Sequence, residues 1–164
     1  MPAINLKTVI NAPVSVCFDA ARSIDLHVQS MQRHQEQAIA GVTRGLIGLN
    51  QTVTWKAWHF GFPFKLKVKV TEMQLHEFFV DQMVSGPFKW FRHYHAFWPQ
   101  QEGTVMVDEF VFKSPLGWLG KLVDRWVLKE YLQGLLLQRN QLIKQTAEAQ
   151  SVILLNLCTH ENAY

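Results

Sequence analysis

Between residues 51 and 113, hydrophobic and polar positions alternate in short segments with the period of two that is typical of β-strands. The segments are rich in Val, Thr, Phe and Trp, and short turns separate them. The pattern predicts five strands, over Gln51–Phe60, Phe64–Glu72, Phe78–Val84, Lys89–Trp98 and Thr104–Lys113. Because short turns join neighbouring antiparallel strands, these five form a meander.

The first fifty residues predict a strand, two short helices and a further strand-and-turn region. Ile4–Asn11 reads as a strand, and Pro13 suits the first turn of a helix because its missing N–H has no partner there. Helices are expected at Val16–Ala21 and over Ile24–Met31. The strand-and-turn region that follows is marked by Gly41, Gly45 and Gly48.

In the last third of the chain, the hydrophobic positions recur at helical spacing. Ser114 and Pro115 supply an N-cap and a first helical residue, and a helix of roughly 30 residues is expected to follow. Its apolar stripe comprises Leu116, Leu119, Leu122, Val123, Trp126, Val127, Leu132, Leu135, Leu136, Leu142 and Ile143. We expect residues 1–150 to form one domain and 151–164 a tail. The run Val152–Leu155 would continue the helix, form an extra strand or be covered by a second subunit.

The order of these elements predicts an α+β domain. A curved, seven-stranded antiparallel sheet would wrap around the long C-terminal helix, with two short helices after the first strand. Hydrophobic residues make up 48% of the 164 residues, and eleven Phe and six Trp are among them. Rings in this number fill a thick core or line an apolar cavity, so a ligand pocket between sheet and helix is expected.

Charge and cysteine usage narrow the function classes. The net charge of +3 comes from spaced lysines such as Lys65, Lys67 and Lys69, not from a dense cluster, so we expect no nucleic-acid partner. Cys17 and Cys158 match no metal or redox spacing. No apolar stretch approaches the roughly 20 residues of a membrane span, and residues 1–7 lack the apolar core of a signal peptide. We therefore expect a cytoplasmic protein without a membrane span, resident metal or other cofactor.

The chain resembles the START/Bet v 1-like superfamily, also called SRPBCC, and within it the polyketide cyclase/dehydrase-like bacterial members. The resemblance covers roughly residues 3–148. It rests on motifs in a fixed order, each of them weak alone. They are Ile10-Asn11-Ala12-Pro13 with Val16-Cys17-Phe18, Phe79-x-Asp81, Gly86-Pro87-Phe88 with Trp90, His93-x-His95-x-Phe97, Thr104-x-Met106-x-Asp108, and Pro115-x-Gly117.

The resemblance implies a helix-grip fold with a cavity between the sheet and the last helix. It does not imply one activity, because the relatives include lipid carriers, hormone receptors and aromatase/cyclases. Residues after Gln150 lie outside the common pattern.

Strand alternation assigns the faces of the sheet. If Gly61-Phe62 is a two-residue loop, Trp55 pairs with Val68 and Ala57 with Leu66. One face then carries lysines, and the apolar face carries Val53, Trp55, Ala57, His59, Phe64, Leu66, Val68 and Val70. The same reasoning places His93, His95 and Phe97 with Met106, Asp108 and Phe110 on the inner face, and Asp81 can join them.

Asp81, His93, His95 and Asp108 are therefore the candidate polar site, and three interpretations are open. The first two are a hydrogen-bond network that ties strands together and a polar anchor for a ligand in an apolar pocket. The third is chemistry, because a His–Asp pair can act as an acid or base, and an H-x-H pair with an Asp can hold a divalent metal. His59 would join them only if the sheet curls strongly.

The sequence favours binding or transport of a small hydrophobic molecule, such as a lipid, polyketide or isoprenoid. The expected lining is Trp55, Ala57, Leu66, Val68, Phe79, Phe97, Met106, Phe110, Leu119, Val123 and Val127. One alternative is a cyclase/dehydrase-type enzyme that uses a His/Asp acid–base pair. Another is an interaction module or homodimer formed through the C-terminal tail.

Overall fold

A computed structural model of the chain describes residues 2–113 and 128–161, without the side chains of Leu155 and residues 157–161. The elements, in chain order, are β1 (Ala3–Ile10), α1 (Val14–Ala21), α2 (Ile24–Ser30), a 3-10 turn (Gln32–His34), β2 (Gln37–Gly41), β3 (Thr52–His59), β4 (Phe62–Gln74), β5 (Phe78–Ser85), β6 (Trp90–Gln100), β7 (Gly103–Lys113) and α3 (Lys129–Glu161).

The seven strands form one antiparallel sheet in the order β1-β7-β6-β5-β4-β3-β2. Strands β2 to β7 follow one another as a meander, and β1 pairs with β7 at the far edge. Helix α3 packs against α1, α2 and β1. The predicted α+β architecture, with its two short helices and long C-terminal helix, is confirmed.

The predicted pairing of β3 with β4 is wrong, because the turn between them lies one residue earlier in the chain than predicted. His59 pairs with Phe62, so the turn consists of Phe60 and Gly61, and Trp55 faces Leu66 instead of Val68. Both turn residues have positive φ, 52° and 79°. Partners shift by two positions, which is a full period of a strand, so the predicted inner and outer faces are preserved.

Helix α3 continues past the expected domain end at residue 150 and reaches Glu161. Of the three alternatives for Val152–Leu155, the structure shows the continued helix. Val152, Ile153 and Leu154 are at least half exposed, and interaction through this segment stays a prediction. The expected helix start at Ser114 and Pro115 lies outside the described residues. Across 2–113 and 128–161, no helix has the length and apolar character required to cross a bilayer.

One part of the inner sheet face is filled by α1. Phe18, which is fully buried, meets the rings of Phe79 and Phe97 edge-on at centroid distances of 5.6 and 5.4 Å. Cys17 beside it is also fully buried, as expected of a core thiol. Helix α1 therefore closes this part of the sheet with a solid core, and the other part is left for α2 and α3 to cover.

We expect Phe18→Ala to lower the free energy of unfolding by about 3–5 kcal/mol, because it opens a cavity among packed rings. The measurement is urea unfolding followed by circular dichroism. Phe62→Ala is the control, since Phe62 is 66% exposed and its loss should change stability by less than about 0.5 kcal/mol. A loss below about 1 kcal/mol for Phe18→Ala would contradict this account of the core.

Candidate functional site

A cavity of about 420 Å³ lies between the inner face of the sheet and the helices α2 and α3. Its border is formed by residues of α1, α2, β3 to β7 and α3, together with residues of the turns between them. Most of these side chains are aliphatic or aromatic. The volume is in the range of small-molecule sites in proteins, which are concave and largely apolar.

Much of the predicted lining borders this cavity. The sheet contributes Trp55, Ala57, Leu66, Val68, Phe79 and Phe110. Phe97 and Met106 do not border it but are buried in the core, where Phe97 packs against Phe18. Leu119, Val123 and Val127 lie outside the described residues. From the predicted helical stripe, the cavity is bordered by Leu132, Leu135 and Leu136.

The four candidate polar residues meet on adjacent strands. Asp81 pairs with His93 across β5 and β6, and His95 pairs with Asp108 across β6 and β7. Asp108 Oδ1 lies 2.7 Å from His95 Nδ1 and 3.1 Å from His93 Nε2. Asp81 Oδ2 lies 3.2 Å from His95 Nε2. The result is a continuous chain of hydrogen bonds from Asp81 through His95 and Asp108 to His93.

Asn140 connects this chain to α3. Its Nδ2 donates to Asp108 Oδ2 at 2.6 Å and lies 3.4 Å from Thr8 Oγ1 of β1. Asn140 Oδ1 is buried and finds no partner among the described residues. An unpaired buried oxygen costs about 1–3 kcal/mol, so the amide is placed for what its nitrogen binds.

Charge in the cluster is concentrated on Asp81, His95 and Asp108. Burial opposes ionisation of Asp108, but hydrogen bonds from both histidines hold the pKa of that carboxyl well below its usual range. Burial likewise opposes ionisation of Asp81, and His95 lowers its pKa. Burial alone would lower the pKa of His95, yet the hydrogen bonds to Asp108 and Asp81 raise it. His95 is thus an imidazolium that donates to two carboxylates.

His93 behaves differently, since burial and the adjacent His95 lower its pKa to about 4. It is therefore neutral near pH 7, and with Nε2 donating to Asp108, Nδ1 keeps its lone pair. Within 2–113 and 128–161, no hydrogen bond to that nitrogen is found. His93 and Asp81 border the cavity, whereas His95 and Asp108 do not.

A divalent cation is the alternative occupant of this cluster. One ligand atom each from Asp81, His93 and His95 lies within 4.8 Å of the others. However, both carboxylates already share the His95 imidazolium, and the nearby charge of Arg139 also lowers the pKa of Asp81. A metal would have to displace the proton from His95 Nε2, so it competes with the hydrogen-bond network.

A second polar group borders the cavity at the β3 side. His27 Nε2 and Glu36 Oε1 are 2.5 Å apart, and the His27 ring stacks on Trp55 at 4.2 Å. His59 Nδ1 lies 2.7 Å from the hydroxyl of Tyr131. Burial and the neighbouring His34 lower the pKa of His59. His59 thus joins Tyr131 of α3 and is not part of the Asp81–His93–His95 group.

Sequence reasoning missed five polar residues of this region: His27, Glu36, Tyr131, Arg139 and Asn140. Hydrophobic periodicity could have identified Arg139 and Asn140, because they form a polar pair within the apolar stripe of α3. The others depend on how α2 and the following turn approach the sheet, which has no local signature.

Solved structures share this architecture. TTHA0849 from Thermus thermophilus matches with a TM-score of 0.74 and 16% identity, over 92% of this chain and 99% of that one. Ginseng major latex-like protein 151 from Panax ginseng matches at 0.64 and 14%, over 89% and 97%. The di-domain ARO/CYC StfQ from the steffimycin biosynthetic pathway matches at 0.68 and 13%, over 90% of this chain and 51% of that one.

The predicted fold, an antiparallel sheet with a long C-terminal helix, is therefore confirmed and shared with these structures. No family model matches the chain, and no curated protein matches it by sequence. At these identities, the likeness establishes the fold and leaves the function to be argued from the site.

The low pKa of His93 predicts a specific loss of stability in acid. Its folded pKa of about 4 is below the ordinary 6.5, so the unfolded state binds more protons between these values. The contribution of His93 is full above pH 6.5 and is lost as the pH falls towards 4. We expect His93 to account for about 2 kcal/mol of destabilisation between pH 7 and pH 5.

Urea unfolding of wild type and His93→Gln at both pH values measures this loss. The variant should show a smaller pH difference than wild type, whatever its absolute stability. His76→Gln, a histidine outside the cluster, should keep the wild-type difference. An equal pH difference in wild type and His93→Gln would show that the pKa of His93 is the same in the folded and unfolded states, which contradicts this account.

Proposed function

We propose that this chain binds a small, mainly apolar molecule in the cavity between the sheet and α3. The observation that carries the proposal is the cavity itself, about 420 Å³ of space bordered mostly by aliphatic and aromatic side chains. A domain of this size could instead have packed such side chains against each other. Bet v 1-like and polyketide cyclase-like folds fit ligand-binding or cyclase roles, so the fold is compatible with the proposal.

The polar groups on the wall support a ligand with a few polar atoms, such as a lipid, polyketide or isoprenoid alcohol or acid. Apolar sites use a small number of placed polar groups to orient the ligand. His93 offers a lone pair on Nδ1, and the pair His27–Glu36 offers polar atoms on the other side. We also propose that the protein transports this ligand and does not only store it.

The cyclase/dehydrase alternative rests on His93 and Asp81, the two cluster residues that border the cavity. A general base works best when its pKa is near the working pH. With a pKa of about 4, His93 is a weak base, and at pH 7 it carries a proton in roughly one molecule in a thousand. His95 has the more suitable basicity but is 1% exposed and held by two carboxylates. Binding is therefore the better-supported function.

Native mass spectrometry of the freshly purified protein tests the binding proposal directly. We expect a mass increase from a co-purified apolar compound, or uptake of an added hydrophobic fluorophore with a blue-shifted emission. A protein that emerges empty and takes up no apolar probe would overturn the proposal.

Filling the cavity gives a sharper test. Ala57 is buried and borders the cavity from β3, so Ala57→Leu places three more carbon atoms inside it. We expect the affinity for the fluorophore to fall about tenfold or more, which corresponds to about 1.4 kcal/mol. The free energy of unfolding should be unchanged within about 1 kcal/mol, because empty space accepts the added side chain.

Thr54→Leu is the matched control, since Thr54 lies on the other face of the same strand, opposite Lys67. It should leave fluorophore affinity at the wild-type value. Equal loss of affinity in both variants would indicate binding at the protein surface.

A further inference from the structure

Arg139 is a buried guanidinium on the wall of the cavity. It is 7% exposed and lies on α3, next to the Asn140 that binds Asp108. Its Nη2 donates to the carbonyl oxygen of Ala21, the last residue of α1, at 2.6 Å. Arg139 also borders the cavity.

The remaining donors of Arg139 have no protein acceptor among the described residues. An arginine has five N–H donors, and here one hydrogen bond is found in that part of the chain. The ion pairs of Arg and Lys found there are those of Arg22, Arg92 and Lys144. Among the described residues, none of the fully buried atoms without a partner belongs to Arg139, so its nitrogens without a hydrogen bond keep some accessible surface.

We infer that Arg139 binds a carboxylate of the ligand. The inference rests on the proposed function and deepens it, because it names the ligand as an amphipathic acid with an apolar body. Glu36 and Asp81 are near enough to feel the charge of Arg139, but within the described residues no ion pair joins either of them to it. The planar fork of arginine matches the two oxygens of a carboxylate. The bond to Ala21 fixes one side of the guanidinium, and the other side is left to the ligand.

Paired ligands test the inference: dodecanoic acid and dodecanol, which differ in the head group, compete with a bound fluorophore. We expect wild type to bind the acid about tenfold to hundredfold more tightly than the alcohol. Arg139→Gln should remove this preference while it leaves the affinity for dodecanol nearly unchanged. Arg139→Lys should restore part of it, since a lysine keeps the charge without the fork.

Several outcomes would overturn the inference. Wild type that binds acid and alcohol equally, or Arg139→Gln that still prefers the acid, would show that Arg139 serves only to hold α1. The failure of the proposed function looks different, because then neither dodecanoic acid nor dodecanol displaces the fluorophore.

A separate set of observations concerns the β3–β4 hairpin. At its tip Phe60 and Phe62 are 59% and 66% exposed, and Trp58 beside them is 44% exposed. Phe60 also adopts a positive φ, where a two-residue turn of this kind favours Asn or Gly and a bulky ring is unusual. Folding alone does not call for three exposed aromatic rings at such a turn.

The outer face behind this tip carries four lysines that have no ion-pair partner among the described residues. Lys56 stands directly opposite Lys65, and Lys67 and Lys69 follow on the same face of β4. Like charges directly opposite each other destabilise a sheet. Their further strand neighbours are Gln37, Ser85 and Gln82, and none of the ion pairs in the described residues includes these lysines.

We propose that this hairpin docks on an anionic membrane surface. Aromatic rings next to lysines suit the interface of a bilayer, where the rings enter the headgroup region and the lysines meet lipid phosphates. Phe60 also borders the cavity and packs on Tyr131 at 4.6 Å, so the docked tip would be at the cavity edge. The membrane would then be the source or the destination of the ligand.

Co-sedimentation of the full chain with vesicles tests the docking. We expect binding to phosphatidylcholine vesicles with about one third phosphatidylglycerol, and much weaker binding without it. Lys65→Gln and Lys67→Gln should each lower the partition coefficient about fivefold. Phe62→Ala with Trp58→Ala should lower it at least as much.

Matched controls come from distant surfaces of the same sheet. Lys7→Gln removes a lysine from β1 at the opposite edge, and Leu75→Ala removes a 59% exposed side chain from the turn at the other end of β4. Both should bind vesicles as wild type does. Loss in the controls equal to loss in the hairpin variants would overturn the docking site.

Two further outcomes would also overturn it. One is preferential binding of single-stranded DNA by the same lysines, with no binding to vesicles. The other is self-association without vesicles that Phe62→Ala abolishes, with no vesicle binding. A protein that ignores vesicles yet carries an apolar ligand would refute the docking and leave the proposed function standing.

Discussion

The carboxylate of Asp108 is the interaction on which the arrangement of this domain depends. It accepts hydrogen bonds from His93 and His95 of β6 and from Asn140 of α3, while its own strand pairs with β1. Without it, the His95 imidazolium would keep only Asp81, and α3 would lose the hydrogen bond from Asn140 to β7. Breaking one side of a buried charge pair typically costs about 3–5 kcal/mol, so the loss of Asp108 would strongly destabilise the domain.

The hydrogen bonds of Asp108 explain why a cavity is present beside a packed core. Helix α1 fills one part of the inner face with Phe18, while Asn140 holds α3 over the sheet beside the open part. Apolar side chains alone would favour collapse of the helix onto the sheet. A helix positioned by directional hydrogen bonds can instead leave space next to Leu132 and Leu136.

The sequence predicted the parts of the structure that obey short periods. Strand alternation correctly placed His93, His95 and Asp108 together on the inner face. An error of two residues in strand pairing leaves every side chain on the same face, because side chains alternate with a period of two. The same tolerance hid the error at Phe60, where the turn required a backbone conformation that aromatic residues seldom adopt. His27 and Glu36 were missed because their positions depend on how separate elements approach each other in space, and no spacing along the chain encodes that.

The neighbouring positions of Arg139 and Asn140 on α3 have a consequence for how such a protein can change over evolutionary time. Asn140 binds Asp108 of the sheet, and Arg139 borders the cavity. The two side chains are about 100° apart around the helix. Mutations at wall positions such as Ala57 or Leu135 can therefore exchange one cargo for another without disturbing the attachment of the helix. Selection can explore new ligands on this scaffold while the Asp108–Asn140 contact keeps the fold intact.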